Sequence, residues 1–111
     1  MKQSYLGEFE QLVMLAVLRL GDSAYGVTIH QELLTTAGRR ASLGAIYTTL
    51  ERLEEKGLVS SAVGDATPER GGKAKRYFHI NAAGVKILKE VLHSTESMKA
   101  GLDAVLGGLM C

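Results

Sequence analysis

The run SLGAIYTTLERLEEKG, from Ser42 to Gly57, carries its own start, stop and inner face, so the rest of the chain has to pack around one helix. Ser42 offers a side-chain oxygen to the first free amides, Ile46, Leu50 and Leu53 recur at helical spacing, and Gly57 admits the left-handed residue that ends a helix. At about 100° per residue the opposite face holds Gly44, Ala45, Thr48, Glu51 and Arg52, with Tyr47 at its border. Small and hydroxylated side chains fill its first half, and the acids Glu51, Glu54 and Glu55 come only in the second. A helix that enters the DNA major groove by its N-terminal end needs that order, because bulk or negative charge there meets bases and phosphates. An ordinary solvent-facing helix has the same pattern, and the flanking chain decides between the two.

Charge distribution is the first flanking argument. A formal net charge of +1 says nothing for nucleic acid by itself. Yet six of the 13 Lys and Arg residues lie in two patches: Arg39 and Arg40 just before the helix, and Arg70, Lys73, Lys75 and Arg76 beyond it. Glu69 is the one acid among or directly beside them. Local density of positive charge is what phosphate contacts need.

The elements on either side are legible from punctuation. A first helix runs from Gly7 or Glu8 to Leu20, stopped by Gly21, and it is apolar on nearly every face. Such a helix must be covered on both sides. Asp22 or Ser23 caps a second helix through about Thr36, with Val27, Ile29, Leu33 and Leu34 available for the core and Gly26 in its first turn, either a mark of close packing against a neighbouring helix or simply a cost to helix stability. Residues Ala37 to Ala41 form the turn, which completes a helix-turn-helix. Leu58 to Val63 and Lys75 to Ile80 read as strands, the second with Phe78 and Ile80 on one face and Lys75, Tyr77 and His79 on the other. GDATPERGGKA between them has loop composition, so the pair forms a hairpin, a wing whose basic tip lies along phosphates or in the minor groove.

Asn81 caps a last helix of about 25 residues, roughly 37 Å long. Leu88, Val91, Met98, Leu102, Val105 and Leu109 recur along it at intervals of three and four, with Thr95 as the polar interruption, and Leu92 and Leu106 widen the stripe. Much of that length projects past a domain of this size. Its stripe and the uncovered side of the first helix, Phe9, Leu12 and Val13, therefore call for a second subunit, in preference to a fold-back within a monomer. Gly101, Gly107 and Gly108 weaken the last turns.

The expected fold is mainly α with a small β-hairpin: a winged helix-turn-helix over residues 1–80 and a long C-terminal dimerisation helix over 81–111. At 111 residues, 46% apolar and 23% charged, the composition is that of a globular domain. No run is long enough to span a bilayer and MKQSYLGEFE has no signal-peptide pattern, so the expected location is the cytoplasm, without membrane partners. Cys111 is the single cysteine, which rules out an intramolecular disulfide and a thiolate metal site. His30, His79 and His93 fall on separate elements, and no nucleophile has a base beside it. Gly71 and Gly72 are not followed by the elements of a phosphate-binding loop. No catalytic residues, metal or cofactor are expected, and the chain does not read as an enzyme.

Four blocks in order, LGEFEQLVMLAVL, AYGVTIHQEL, AIYTTLERLEEKGLV and GGKAKRYFHINAAG, resemble the PadR family of bacterial winged-helix transcriptional regulators over about Leu6 to Leu92. The resemblance implies a dimeric repressor on a palindromic operator, reading DNA with the third helix and the wing and dimerising through the first and last helices. It places Tyr47 near DNA backbone and bases, and it matches the wing's glycine and basic residues to Gly72, Lys73, Lys75 and Arg76 and its aromatics to Tyr77 and Phe78. The chain departs from it at the wing tip, where Gly-Gly-Lys-Ala-Lys replaces a Gly-Arg-Pro-Arg-like sequence, and in a short C-terminal part without tryptophan.

The residue-level expectation is that Arg39, Arg40, Lys73, Lys75 and Arg76 hold phosphates while Ser42, Gly44, Tyr47, Thr48 and Arg52 face base edges of double-stranded DNA. The competing reading is a winged-helix module that dimerises for protein interaction and reads no DNA, which the low net charge and three acids of the third helix favour. A cavity beside Met98 could hold a small-molecule effector of unknown identity, although a Met and Leu stripe is usually plain dimer core.

Overall fold

A computed structural model describes residues 5–64 and 75–107. Helix α1 spans Glu8–Leu20, and at its start the Gly7 amide donates to Glu10 Oε1 at 2.8 Å. It ends at Gly21, where φ is 59°. Val13, Met14, Ala16 and Val17 are buried in the core, while Phe9, Leu12, Leu15 and Leu20 are partly covered and pack against it. Val13 is fully buried inside its own chain, which corrects its expected place at a subunit contact.

Helix α2, Gly26–Ala37, starts later than Asp22 or Ser23. Residues Gly21–Ser23 instead form a 3₁₀ turn that lays Ala24 along the hairpin, where its carbonyl accepts the Phe78 amide at 2.9 Å. The cap is made from inside the helix, with the Tyr25 amide donating to Thr28 Oγ1 at 3.0 Å. Gly38, at φ 63°, closes α2, with the Arg39 amide bonded to the Leu33 carbonyl at 2.9 Å. Arg19 of α1 reaches Glu32 of α2 at 2.7 Å. The Thr36 hydroxyl first and Arg19 second hold the Glu32 carboxyl below the usual carboxylate range, so what it adds at neutral pH is lost as the pH falls through that lowered value.

Helix α3 spans Leu43–Glu55, with Ser42 Oγ accepting the Ala45 amide at 3.1 Å as the sequence requires of its cap. Ile46, Leu50 and Leu53 have no exposed surface and Thr49 almost none. Gly57, at φ 79°, turns the chain into the hairpin. Strands β1, Val59–Val63, and β2, Arg76–Ile80, pair antiparallel with Ser61 opposite Phe78 and Val63 opposite Arg76. Phe78 is buried against α1 and α3, and the hairpin is thereby fixed at its base.

Helix α4 is Ala82–Lys99, 18 residues, shorter than the expected 25 or so. The chain breaks at Gly101, whose φ of 85° suits a residue without Cβ, and resumes as the short α5, Asp103–Leu106. Leu88 is 3% exposed and belongs to this chain's core, a second correction to the expected dimer stripe. Leu109, Gly108 and Cys111 lie outside the described residues. Among the described residues, no helix is long and apolar enough to cross a membrane.

Asn81 precedes α4 without capping it through its side chain. Its Nδ2 donates to the Gly57 carbonyl and its backbone amide to the Leu58 carbonyl, each at 3.0 Å. Gly84 rests on that same Leu58 carbonyl: a Cβ there would collide with the oxygen and lie 2.7 Å from Ile80 Cγ2. Backbone on one side leaves little room to yield. Gly84→Ala is expected to destabilise the fold by about 1–3 kcal/mol, read as a lower chemical-denaturation midpoint with unchanged slope.

Candidate nucleic-acid interface

The polar face of α3 emerges as the sequence lays it out. Ser42, Gly44, Ala45, Thr48, Glu51 and Arg52 are all exposed, on the side opposite the buried Ile46, Leu50 and Leu53. The first turn carries no acid. Tyr47 at the border does a second job. Its ring lies against Gly26, where a Cβ would fall 2.6 Å from Tyr47 Cζ, and its centroid is 6.3 Å from that of Phe78. It therefore spaces α2, α3 and the hairpin from one another while leaving 37% of its surface open. Gly26 is in the first turn for that reason.

The arginine pair divides. Arg39 is drawn back, with Nη2 3.2 Å from Glu8 Oε1 and its guanidinium carbon 5.5 Å from the centre of the Phe9 ring, so it braces the turn against α1. Arg40 is exposed and, like Arg52, makes no ion pair among the described residues. Lys75 sits beside the N-terminus of α2, its Nζ 5.3 Å from the centre of the Tyr25 ring, which meets Tyr77 edge-on at 5.4 Å. Arg76 is turned back, with Nη2 3.3 Å from Glu54 Oε1. Arg70, Gly72 and Lys73 lie outside the described residues.

Three partners were not evident from sequence. Glu54 sits among the acids of the second half of α3 but faces the hairpin. Ser61 is a polar residue at an inward position of β1, level with Phe78, and that misplaced polarity was the available signal. Glu10, with only 8% of its side chain exposed, meets Lys56 Nζ at 2.9 Å and ties the start of α1 to the end of α3. Losing one partner of a fully buried pair costs about 3–5 kcal/mol, and less here because Lys56 is 36% exposed. No sequence spacing links positions so far apart.

Comparison with known proteins supplies the family. The profile of the transcriptional regulator PadR-like family matches residues 14–90. The chain belongs to the PadR-like family of transcriptional regulators. It is similar to the crystal structure of a PadR family transcriptional regulator from Eggerthella lenta, with 26% identity, a TM-score of 0.67, and 89% of this chain and 86% of that one covered. A PadR-like transcriptional regulator from Bacillus cereus shares the fold at 21% identity and a TM-score of 0.67, covering 86% and 90% of the two chains. An uncharacterized protein of Lysinibacillus sphaericus is 26% identical over 105 residues, 93% of this chain and 92% of that protein. PadR-like proteins are regulators and not enzymes, and the winged helix-turn-helix is their DNA-binding unit.

In this PadR-like chain Tyr47 and Gly26 should be coupled. Gly26→Ala is expected to cost about 1–3 kcal/mol in the parent and well under half of that in a Tyr47→Ala background, where the space is vacant. Equilibrium denaturation of the four proteins of that cycle measures the coupling.

Proposed function

We propose that this chain is a dimeric repressor that binds a palindromic operator through α3 and the wing and is released by a signal of unknown identity. The observation that carries the reading is the acid-free first half of α3's outer face, Ser42, Gly44 and Thr48, bordered by the exposed Arg40 and Arg52. Those side chains suit base edges, and Arg40 and Lys75 suit phosphates, with Lys73 assigned the same part from the sequence alone. Tyr47 reaches the same surface from a fixed position. In a two-fold dimer every contact is made twice, so affinity depends steeply on salt.

The dimer follows from surface that α4 and α5 leave open. Met98 is 80% exposed, Val105 62%, Leu106 53% and Leu102 44%, on a segment that projects from the winged unit. Together with the half-covered Phe9, Leu12 and Val91 these residues make an apolar surface suited to a second copy. An effector pocket at Met98 needs that second copy as its other wall. Val105→Glu with Leu106→Glu is expected to give monomers in sedimentation and to weaken DNA binding; a double variant that remains dimeric would move the interface elsewhere.

The protein-interaction reading has one observation in its favour: Arg39 and Arg76 are both paired with acids. Gel shift on duplex DNA from the chain's own promoter region separates the two. The repressor reading expects a salt-sensitive complex, and the triple variant Arg40→Ala, Lys73→Ala, Lys75→Ala should lower the log–log salt slope by about one per phosphate contact removed. Absence of a complex at low salt would favour the interaction module.

A further inference from the structure

Glu54, Ser61 and Arg76 close a ring of hydrogen bonds across three elements. Ser61 Oγ donates to Glu54 Oε2 at 2.7 Å, Arg76 Nε donates to Ser61 Oγ at 2.9 Å, and Arg76 Nη2 donates to Glu54 Oε1 at 3.3 Å. The hydroxyl gives its one proton to the carboxylate and accepts from the guanidinium, so each member satisfies the other two. The Arg76 guanidinium carbon also lies 5.7 Å from the centre of the Phe78 ring. Glu54 belongs to the last turns of α3, Ser61 to the middle of β1, and Arg76 is the first residue of β2.

The position of the ring gives it mechanical importance. Two strands alone are marginal in water, and the core grips only the base of this hairpin, through Val59 and Phe78. One step beyond Phe78 on the same face, Val63 is 69% exposed and packs on nothing that would orient the outer half. There the ring ties the wing to α3, while on the opposite face Tyr77 meets Tyr25 at the start of α2.

We propose that Glu54, Ser61 and Arg76 form a strut that sets the angle of the wing to the recognition helix, with Arg76 a positioning residue for DNA binding in place of a phosphate ligand. The proposal rests on the reading that α3 and the wing bind DNA. A planar guanidinium suits the task, because its fork fixes direction where an ammonium fixes only distance. A phosphate competing for Arg76 would have to break two donor bonds and the cation–π contact with Phe78.

The test uses the full chain carrying Glu54→Gln, Ser61→Ala, Arg76→Lys or Arg76→Ala, with fluorescence anisotropy on labelled duplexes from its own promoter region. The strut predicts that all four variants lose about three- to tenfold in affinity, the worth of one partly exposed charged contact. It also predicts an unchanged salt slope and no rescue by lysine. Tighter binding by Glu54→Gln, parental affinity in Arg76→Lys, or a slope lowered by about one per half-site in Arg76→Ala would overturn it and make Arg76 a phosphate ligand restrained by Glu54. Hydrogen exchange gives a readout independent of DNA. The Gly64 amide, bonded to the Lys75 carbonyl at 2.7 Å at the open end of the hairpin, should exchange faster in each variant while the amides of α1 and α3 keep their protection. Unchanged Gly64 exchange would overturn the strut. Failure of the parent chain to bind any duplex would instead remove the DNA reading and, with it, Arg76's part in binding.

Discussion

Two backbone carbonyls, those of Gly57 and Leu58, carry the joint on which the arrangement of the C-terminal half depends. They follow directly on α3, and they accept the Asn81 side chain and the Asn81 amide at 3.0 Å each, while Gly84 lies flat against the second of them. The helix that carries the candidate DNA surface and the helix that leaves the domain are thus joined through two successive peptide units. The arrangement leaves Asn81 Oδ1 without a hydrogen-bond partner among the described residues. It persists because the same side chain holds α4 in place, and only a glycine lets α4 come close enough.

Charge in the molecule is largely committed to structure. Glu8, Glu10, Glu32 and Glu54 are each engaged by a cation from another element, so α1 is tied to α2, to the turn before α3 and to the end of α3, and α3 is tied to the wing. Most of these pairs are partly exposed and individually worth about 0–1 kcal/mol. Their effect is to decide which positive charges remain outward. Arg40 and Arg52 flank the acid-free half of α3, whereas Arg39 and Arg76 are drawn onto Glu8 and Glu54. A net charge near zero is therefore compatible with exposed arginines beside the acid-free half of α3, because Glu8 and Glu54 are engaged by other cations and Glu51 and Glu55 fall in the second half of the helix.

Local punctuation was legible in the sequence, and contacts between distant segments were not. Ser42, Gly21, Gly38 and Gly57 act where residue type alone says they should, since caps and left-handed turns are decided within a few residues. The inner face of α3 and the alternation of β2 follow from periodicity. Misreadings arose where a tertiary bond displaced a local one. Ala24 joins the hairpin and delays α2; Asn81 bonds across to Gly57 and gives up its cap. Val13 and Leu88 have the spacing of a subunit contact, but each is buried in this chain's own core. At the candidate site, the exposed face of α3 was readable, while the partners of Arg39 and Arg76 were hidden by separations of 31 and 22 residues.

The joint at Gly57 and Leu58 also decides how a dimer would act on DNA. In the proposed assembly α4 and α5 supply the contact between subunits, and each α4 is held to the end of its own α3 through two carbonyls that both bond to Asn81. The separation and tilt of the two recognition helices are then set by how the two α4 helices pack. Half-sites on DNA lie a fixed distance apart, so a small rotation at that contact moves one α3 out of register with its groove. Met98, Leu102, Val105 and Leu106 make that contact adjustable, since flexible and aliphatic side chains beyond the core can repack without disturbing the winged unit. Coupling of this kind needs no change inside the winged unit, whose α1, α2, α3 and hairpin share one buried core.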